Sequence, residues 1–189
     1  MSRPTPERPV SFALKPPTCL GCPAHQKGFG FVPPAVPLDP TRVELAVVGQ
    51  GPGQQEAETS RPFLESAPSG FTLTRWLHGE ALQRSTVWVG NTIQCWLPKG
   101  RTQGRWFGST DPTRAMQQHC WNAHVGPSLA ALPKLRLVIP VGAPARSFLM
   151  GSTYGERYCG TFTKLPLPTL GENHAQPAQT DQSAVPAVD

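Results

Sequence analysis

Val43-Glu44-Leu45-Ala46-Val47-Val48-Gly49-Gln50-Gly51-Pro52-Gly53 is an apolar run that passes directly into a loop with three glycines in five residues. A run of this kind reads as a strand buried on both faces, as strands of a parallel sheet are. Two more follow, Val87-Trp88-Val89 and Leu135-Arg136-Leu137-Val138-Ile139. Between the first two runs, Phe71, Leu73, Trp76, Leu77 and Ala81 recur at roughly helical spacing. Between the last two, Asp111-Pro112 offers an N-cap and a first-turn proline for a helix carrying Met116, Cys120 and Ala123. A short helix is expected after Gly142. The order β-α-β-α-β predicts an α/β fold: a three-layer α/β/α sandwich with a central, mostly parallel sheet.

In such a sheet, ligands sit beyond the carboxyl ends of the strands, which is where Gly49, Gly51, Pro52 and Gly53 lie. Glycines there let a backbone approach a ligand closely and present its N–H groups. The pattern lacks the spacing of a dinucleotide fingerprint and the Gly-Lys-Ser/Thr ending of a P-loop.

Four cysteines form a second candidate site. Cys19 and Cys22 make a tight C-x-x-C, and Cys95 and Cys120 stand far downstream. One turn bearing two thiolates, joined by two distant ones, suits four-thiolate ligation of a [4Fe–4S] cluster or of one zinc ion. Zinc folds usually bring a second short-spaced pair, whereas Cys95 and Cys120 are separated by 24 residues, so the cluster ranks ahead of zinc. The alternative is that Cys95 and Cys120 are ordinary buried thiols. Cys159 reads as a free thiol.

The 189 residues suffice for one globular domain, expected over 18–174. Residues 1–17, rich in proline and charge, and 175–189, poor in large apolar residues, are expected to be disordered tails. No apolar run approaches a membrane span, and the opening MSRPTPERPV is no apolar signal segment, so a cytoplasmic, monomeric protein without membrane association is expected. Seventeen Lys and Arg against twelve Asp and Glu give a net charge of +5, compatible with a polyanionic partner. The segment Lys99-Gly100-Arg101-Thr102-Gln103-Gly104-Arg105-Trp106-Phe107 alternates cations with glycines and ends in aromatics. Lys99, Arg101, Arg105 and Trp106 are candidate contacts to phosphates and unpaired bases. A solvated basic loop with its aromatics packed on the core is the alternative.

The ordered series of motifs resembles the uracil-DNA glycosylase superfamily, in its iron–sulfur (family 4-like) branch. CLGCPAHQKGFGFVP resembles that branch's C-x-x-C-P and glycine-rich opening, and VVGQGPGQQEAETSRPFLESAPSG resembles its G-E-x-P-G…G-x-P-F-x-G-x-x-G motif. GNTIQCWLP resembles the asparagine-bearing strand that ends in the third ligand, and Cys120 with LRLVIPVGAPA resembles the fourth ligand and the next strand. The resemblance covers roughly residues 19 to 150. It implies that Cys19, Cys22, Cys95 and Cys120 hold a structural [4Fe–4S] cluster. It implies that Gly49 to Gly53 face a flipped nucleotide, that Phe63 stacks on the base and that Asn91 reads its Watson–Crick edge. The implied activity is hydrolysis of the N-glycosidic bond of uracil in single- or double-stranded DNA, in base-excision repair.

Two departures stand out. The family's glutamate after the first glycine is Gln50; Glu56 and Glu58, a few residues on, read as a solvated acidic turn, with substitution for that glutamate as the alternative. The family's late His-Pro-Ser is absent, and His174 in Glu172-Asn173-His174 is the one histidine at that point in the order. Gln50, Asn91 and His174 are the candidate catalytic residues. A DNA-binding relative that has lost hydrolysis is the other reading.

Overall fold

Leu45–Gly49 (β1) pairs in parallel with Trp88–Asn91 (β2) on one side and with Leu137–Pro140 (β5) on the other, giving the strand order β2-β1-β5 in a computed structural model. The structure describes residues 11–102 and 105–151, Arg105 and Trp106 by their backbone alone. The register sets Gly49 opposite Asn91 and Val48 opposite Pro140.

Alternation along β1 decides the layers, because successive side chains leave a strand on opposite faces. Ala46 and Val48 join Val43, Trp88, Trp121, Val125, Leu129 and Leu132 in one core cluster, with Phe148 and Leu149 packed against it. Trp121 and Val125 are on a π-helical turn, Trp121–Val125, that continues Arg114–Cys120 (α3), Leu129 is on Gly126–Ala130 (α4), and Phe148 and Leu149 are on Ala143–Met150 (α5). Val47 belongs to a second cluster with Phe63, Leu73, Leu77, Val87 and Val89. Leu73 and Leu77 are on Pro68–Gly79 (α2), on the opposite face. The fold is therefore the expected α/β/α sandwich about a parallel sheet. Gln54–Thr59 (α1) follows the glycine loop.

Several local expectations are corrected. The buried stripe of α2 is Gly70, Leu73 and Leu77, while Phe71 and Trp76 are exposed and Ala81 lies past the helix with φ 55°. A Cβ at Gly70 would collide with the carbonyl oxygens of Phe63 and Leu64, so close approach selects the smallest residue for the contact face. Helix α3 is capped by Thr113, whose hydroxyl accepts from the Met116 N–H at 3.4 Å. Asp111, expected as that cap, is engaged elsewhere: its Oδ1 accepts from Gln50 Nε2 at 2.7 Å. The basic segment is an antiparallel hairpin of Gly100–Thr102 (β3) and Arg105–Phe107 (β4). In the stretch expected as an N-terminal tail, Phe12 packs its ring 5.6 Å from Phe29 and 6.3 Å from Trp96. No described helix is long and apolar enough to cross a membrane.

Candidate functional site

Gly49 ends β1 and Asn91 ends β2, so their pairing brings the glycine loop and the asparagine together at the carboxyl edge of the sheet. A Cβ on Gly49 would lie 2.5 Å from Asn91 Oδ1 and 2.6 Å from Phe63 Cζ. Glycine at this position is what lets Asn91 and Phe63 converge over one backbone. Asn91 is 2% exposed, and its Nδ2 has no hydrogen-bond partner among the described residues. A buried amide donor left unmatched costs roughly 1–3 kcal/mol, and this one is open to an acceptor from a bound molecule.

Phe63 is held in a left-handed backbone conformation, φ 49°, that a bulky residue rarely adopts. It is pinned from both sides. Arg84 Nη2 donates to the Pro62 carbonyl at 2.7 Å, and the Leu64 N–H donates to Glu56 Oε1 at 3.3 Å. The other carboxylate oxygen of Glu56 accepts from the Gly53 N–H at 2.6 Å, capping α1. Glu56 is 5% exposed, so it is a buried strut between the glycine loop and the Phe63 turn rather than part of a solvated acidic turn. Glu58 is exposed and accepts from Gln54 Nε2.

The loop is also clamped from below. The Thr92 N–H donates to the Gly49 carbonyl at 2.8 Å and its hydroxyl donates to the Gln50 carbonyl at 2.6 Å. Buried Gln117 supports Thr92, donating to its Oγ1 at 3.0 Å. Gln94 Nε2 donates to the Asn91 carbonyl at 2.9 Å, fixing the backbone that carries the asparagine.

The four cysteines line a single pocket with Lys15, His25, Phe31, Ile93, Met116 and His119. All four are free thiols. Backbone N–H groups address two of them: Gln94 donates to Cys120 Sγ at 3.2 Å and Ala24 to Cys22 Sγ at 3.4 Å. His124 Nε2 is 3.4 Å from Cys19 Sγ, presented from the π-helical turn that follows Cys120. Gly28 closes the pocket, for a Cβ there would lie 2.5 Å from Cys95 Sγ. Burial pushes the Cys95 thiol up to about 11 and raises Cys19 and Cys120 as well, with neighbouring thiols adding to each. Burial also lowers His124, aided by the charge of His119. Thiols crowded in this way favour a positively charged group among them, which relieves their mutual repulsion on ionisation. Among the described residues, no three His, Cys, Asp or Glu side chains are disposed to hold one metal ion.

A family model, Uracil DNA glycosylase superfamily, matches residues 36–183. The chain belongs to the uracil-DNA glycosylase superfamily. Similar proteins place it in the type-4-like branch. The "Type-4 uracil-DNA glycosylase" of Thermotoga maritima is 31% identical over 132 residues, 70% of this chain and 60% of that protein. The protein of the same name from Pyrobaculum aerophilum is 32% identical over 87 residues, 46% of this chain and 42% of that one. That of Archaeoglobus fulgidus is 26% identical over 132 residues, 70% of this chain and 58% of that one. The chain thus matches about 60% or less of the length of these relatives.

Within this superfamily member, the structure brings together Gly49, Phe63 and Asn91, and separately the four cysteines. Gln50 lies at the loop's outer edge, where its amide is taken by Asp111. Lys99 and Arg101 are exposed at the β3–β4 hairpin, and Phe107 is 47% exposed beside Gly100. His174 and Cys159 lie outside the described residues. Sequence reasoning missed Thr92, Gln94 and Gln117, as well as the buried role of Glu56. The spacing Gly53-Gln54-Gln55-Glu56 did carry a signal for the last, because it puts Glu at N3 behind a Gly N-cap.

Proposed function

We propose that the chain is a uracil-DNA glycosylase that takes an extruded uracil into the cleft over Gly49. The observation that carries this reading is the buried, unmatched Asn91 Nδ2 beside Phe63. Asn91 Nδ2 donates to uracil O4 and Oδ1 accepts from uracil N3–H. Cytosine presents a donor and an acceptor at those places, and so clashes with the same amide orientation twice. Phe63 lends ring surface to the base, and Gly51 and Gly53 let the backbone come close to the nucleotide.

In the reaction the N1–C1′ bond breaks and its electron pair leaves with uracil. Water adds its oxygen to C1′ and releases a proton, leaving free base and an abasic sugar. Hydrogen bonding from Asn91 stabilises charge that develops on the uracil carbonyl. Gln50 cannot accept the water's proton; of the two carboxylates tied to the loop, Glu56 is buried with both oxygens engaged by backbone N–H groups, whereas Asp111 is exposed and accepts from the Gln50 amide. Asp111 is assigned to orienting the water and favouring the cationic sugar. The hairpin, with exposed Lys99 and Arg101 and with Arg105 and Trp106, is assigned to the DNA backbone and its unpaired bases.

Cys19, Cys22, Cys95 and Cys120 would hold a [4Fe–4S] cluster, which supplies a structural cross-link rather than a reaction step. The free thiols, the N–H donors to Cys22 and Cys120 and the clearance at Gly28 suit it. A single zinc ion, the lesser alternative, would draw on the same four thiolates.

The test is single-turnover incubation with single-stranded oligonucleotides carrying one uracil, one cytosine or neither. Abasic sites and free uracil in equal amounts, from the uracil strand alone, are expected, with Asp111→Asn slower by about 10²-fold or more. The neutral Gln50 favours a second reading, a DNA-binding relative without hydrolysis. That reading takes over if every strand is bound and none is cleaved.

A further inference from the structure

Lys15 occupies an unusual place for a lysine. It is half-buried, lines the pocket of the four cysteines, and its Nζ donates to the carbonyls of His25 and Gly28, the latter at 2.6 Å. Gly28 is itself pressed against Cys95, so the backbone that Lys15 grips is the wall of the thiol pocket. The segment that delivers Lys15 is anchored by Phe12 in an aromatic group with Phe29 and Trp96, whose rings lie 6.0 Å apart. Among the described residues no carboxylate forms a salt bridge with Lys15. A partly desolvated ammonium satisfied by carbonyls alone still lacks a counter-charge. The nearby groups able to provide one are the cysteine sulfurs.

We infer that Lys15 is part of the cofactor site: a fixed cation, held over the pocket by residues 11–17, that faces the anionic thiolate-bound cluster and sets its reduction potential. The inference rests on the [4Fe–4S] reading above. A positive charge close to the cluster stabilises the reduced, more negative form, and cluster potentials follow net charge and surroundings. A lysine that merely clamps the loop of residues 24–28 would hold the backbone without moving the potential.

The experiment compares anaerobically reconstituted parent, Lys15→Met and Lys15→Arg by iron and sulfide content and by redox titration of the visible absorption. The expected result is full loading of all three, a midpoint shifted to more negative potential in Lys15→Met, and a midpoint in Lys15→Arg close to the parent's. Failure of Lys15→Met to load, whether or not Lys15→Arg loads, assigns Lys15 to clamping the pocket wall and overturns the inference. Equal midpoints in parent and Lys15→Met also overturn it, while leaving the cluster itself established by the iron and sulfide content. A parent that binds no iron and sulfide removes the cluster reading first, and the role of Lys15 with it.

Discussion

Asn91→Ala is expected to lower the single-turnover rate of uracil release by roughly 10²–10³-fold, the usual cost of removing one positioned donor to developing negative charge. The reason lies in the pairing of strand ends. Asn91 is buried at the end of β2, opposite Gly49, and its Nδ2 makes no hydrogen bond within the described residues. Truncating it therefore breaks no bond to the protein from that atom, and stability should be little changed. The backbone carbonyl of Asn91, which accepts from Gln94, is retained in the variant. DNA affinity should also persist, because the exposed cations of the hairpin are untouched. A rate loss with unchanged melting and unchanged DNA binding is the signature; equal loss of all three would mean a structural residue.

Cys120→Ser is expected to abolish the visible absorption of bound iron and to lower thermal stability markedly. Cys19 and Cys120 are roughly a hundred residues apart, and a link closing such a loop is worth on the order of 4–5 kcal/mol in the chain-entropy description. Cys120 also sits where α3 gives way to the π-helical turn, so such a link would tie the N-terminal segment to the helical layer beneath the sheet. Because burial holds Cys95 near 11 and Cys120 higher, the metal-free pocket contains protonated thiols at neutral pH. Loading must displace those protons, so it should be favoured as pH rises. Iron content and melting temperature of parent and Cys120→Ser, each with and without reconstitution, check this. Unaltered iron content in the variant would remove Cys120 from the ligand set.

Much of the fold was legible because β1 and β2 are short apolar runs buried on both faces, while β5, at the edge of the sheet with Leu137 36% exposed, carries the same composition although it is only partly buried. The convergence of Gly49, Phe63 and Asn91 was legible through the family's ordered motifs rather than through any one residue. What escaped depends on tertiary contact. Large side chains suggested the wrong face of α2, since Gly70 is chosen by the nearness of the Phe63 and Leu64 carbonyls. Asp111-Pro112 resembles a helix start, yet Asp111 is drawn to Gln50 across the fold and Thr113 does the capping. Glu56 looked solvated because charge alone says nothing of two buried N–H groups waiting for it. The hairpin at 100–107 has no apolar alternation to announce its strands, and the π-helical turn has no composition of its own.

The central claim is that Asn91, over Gly49, reads uracil. Its most direct test is the side-chain amide resonance of Asn91, assigned by comparison with Asn91→Ala in ¹⁵N-labelled, cluster-loaded protein, as free uracil and then free cytosine are added. The account predicts a saturable downfield shift of the Nδ2 protons with uracil and none with cytosine at equal concentration. An Asn91 resonance that ignores uracil, or responds equally to cytosine, would contradict it.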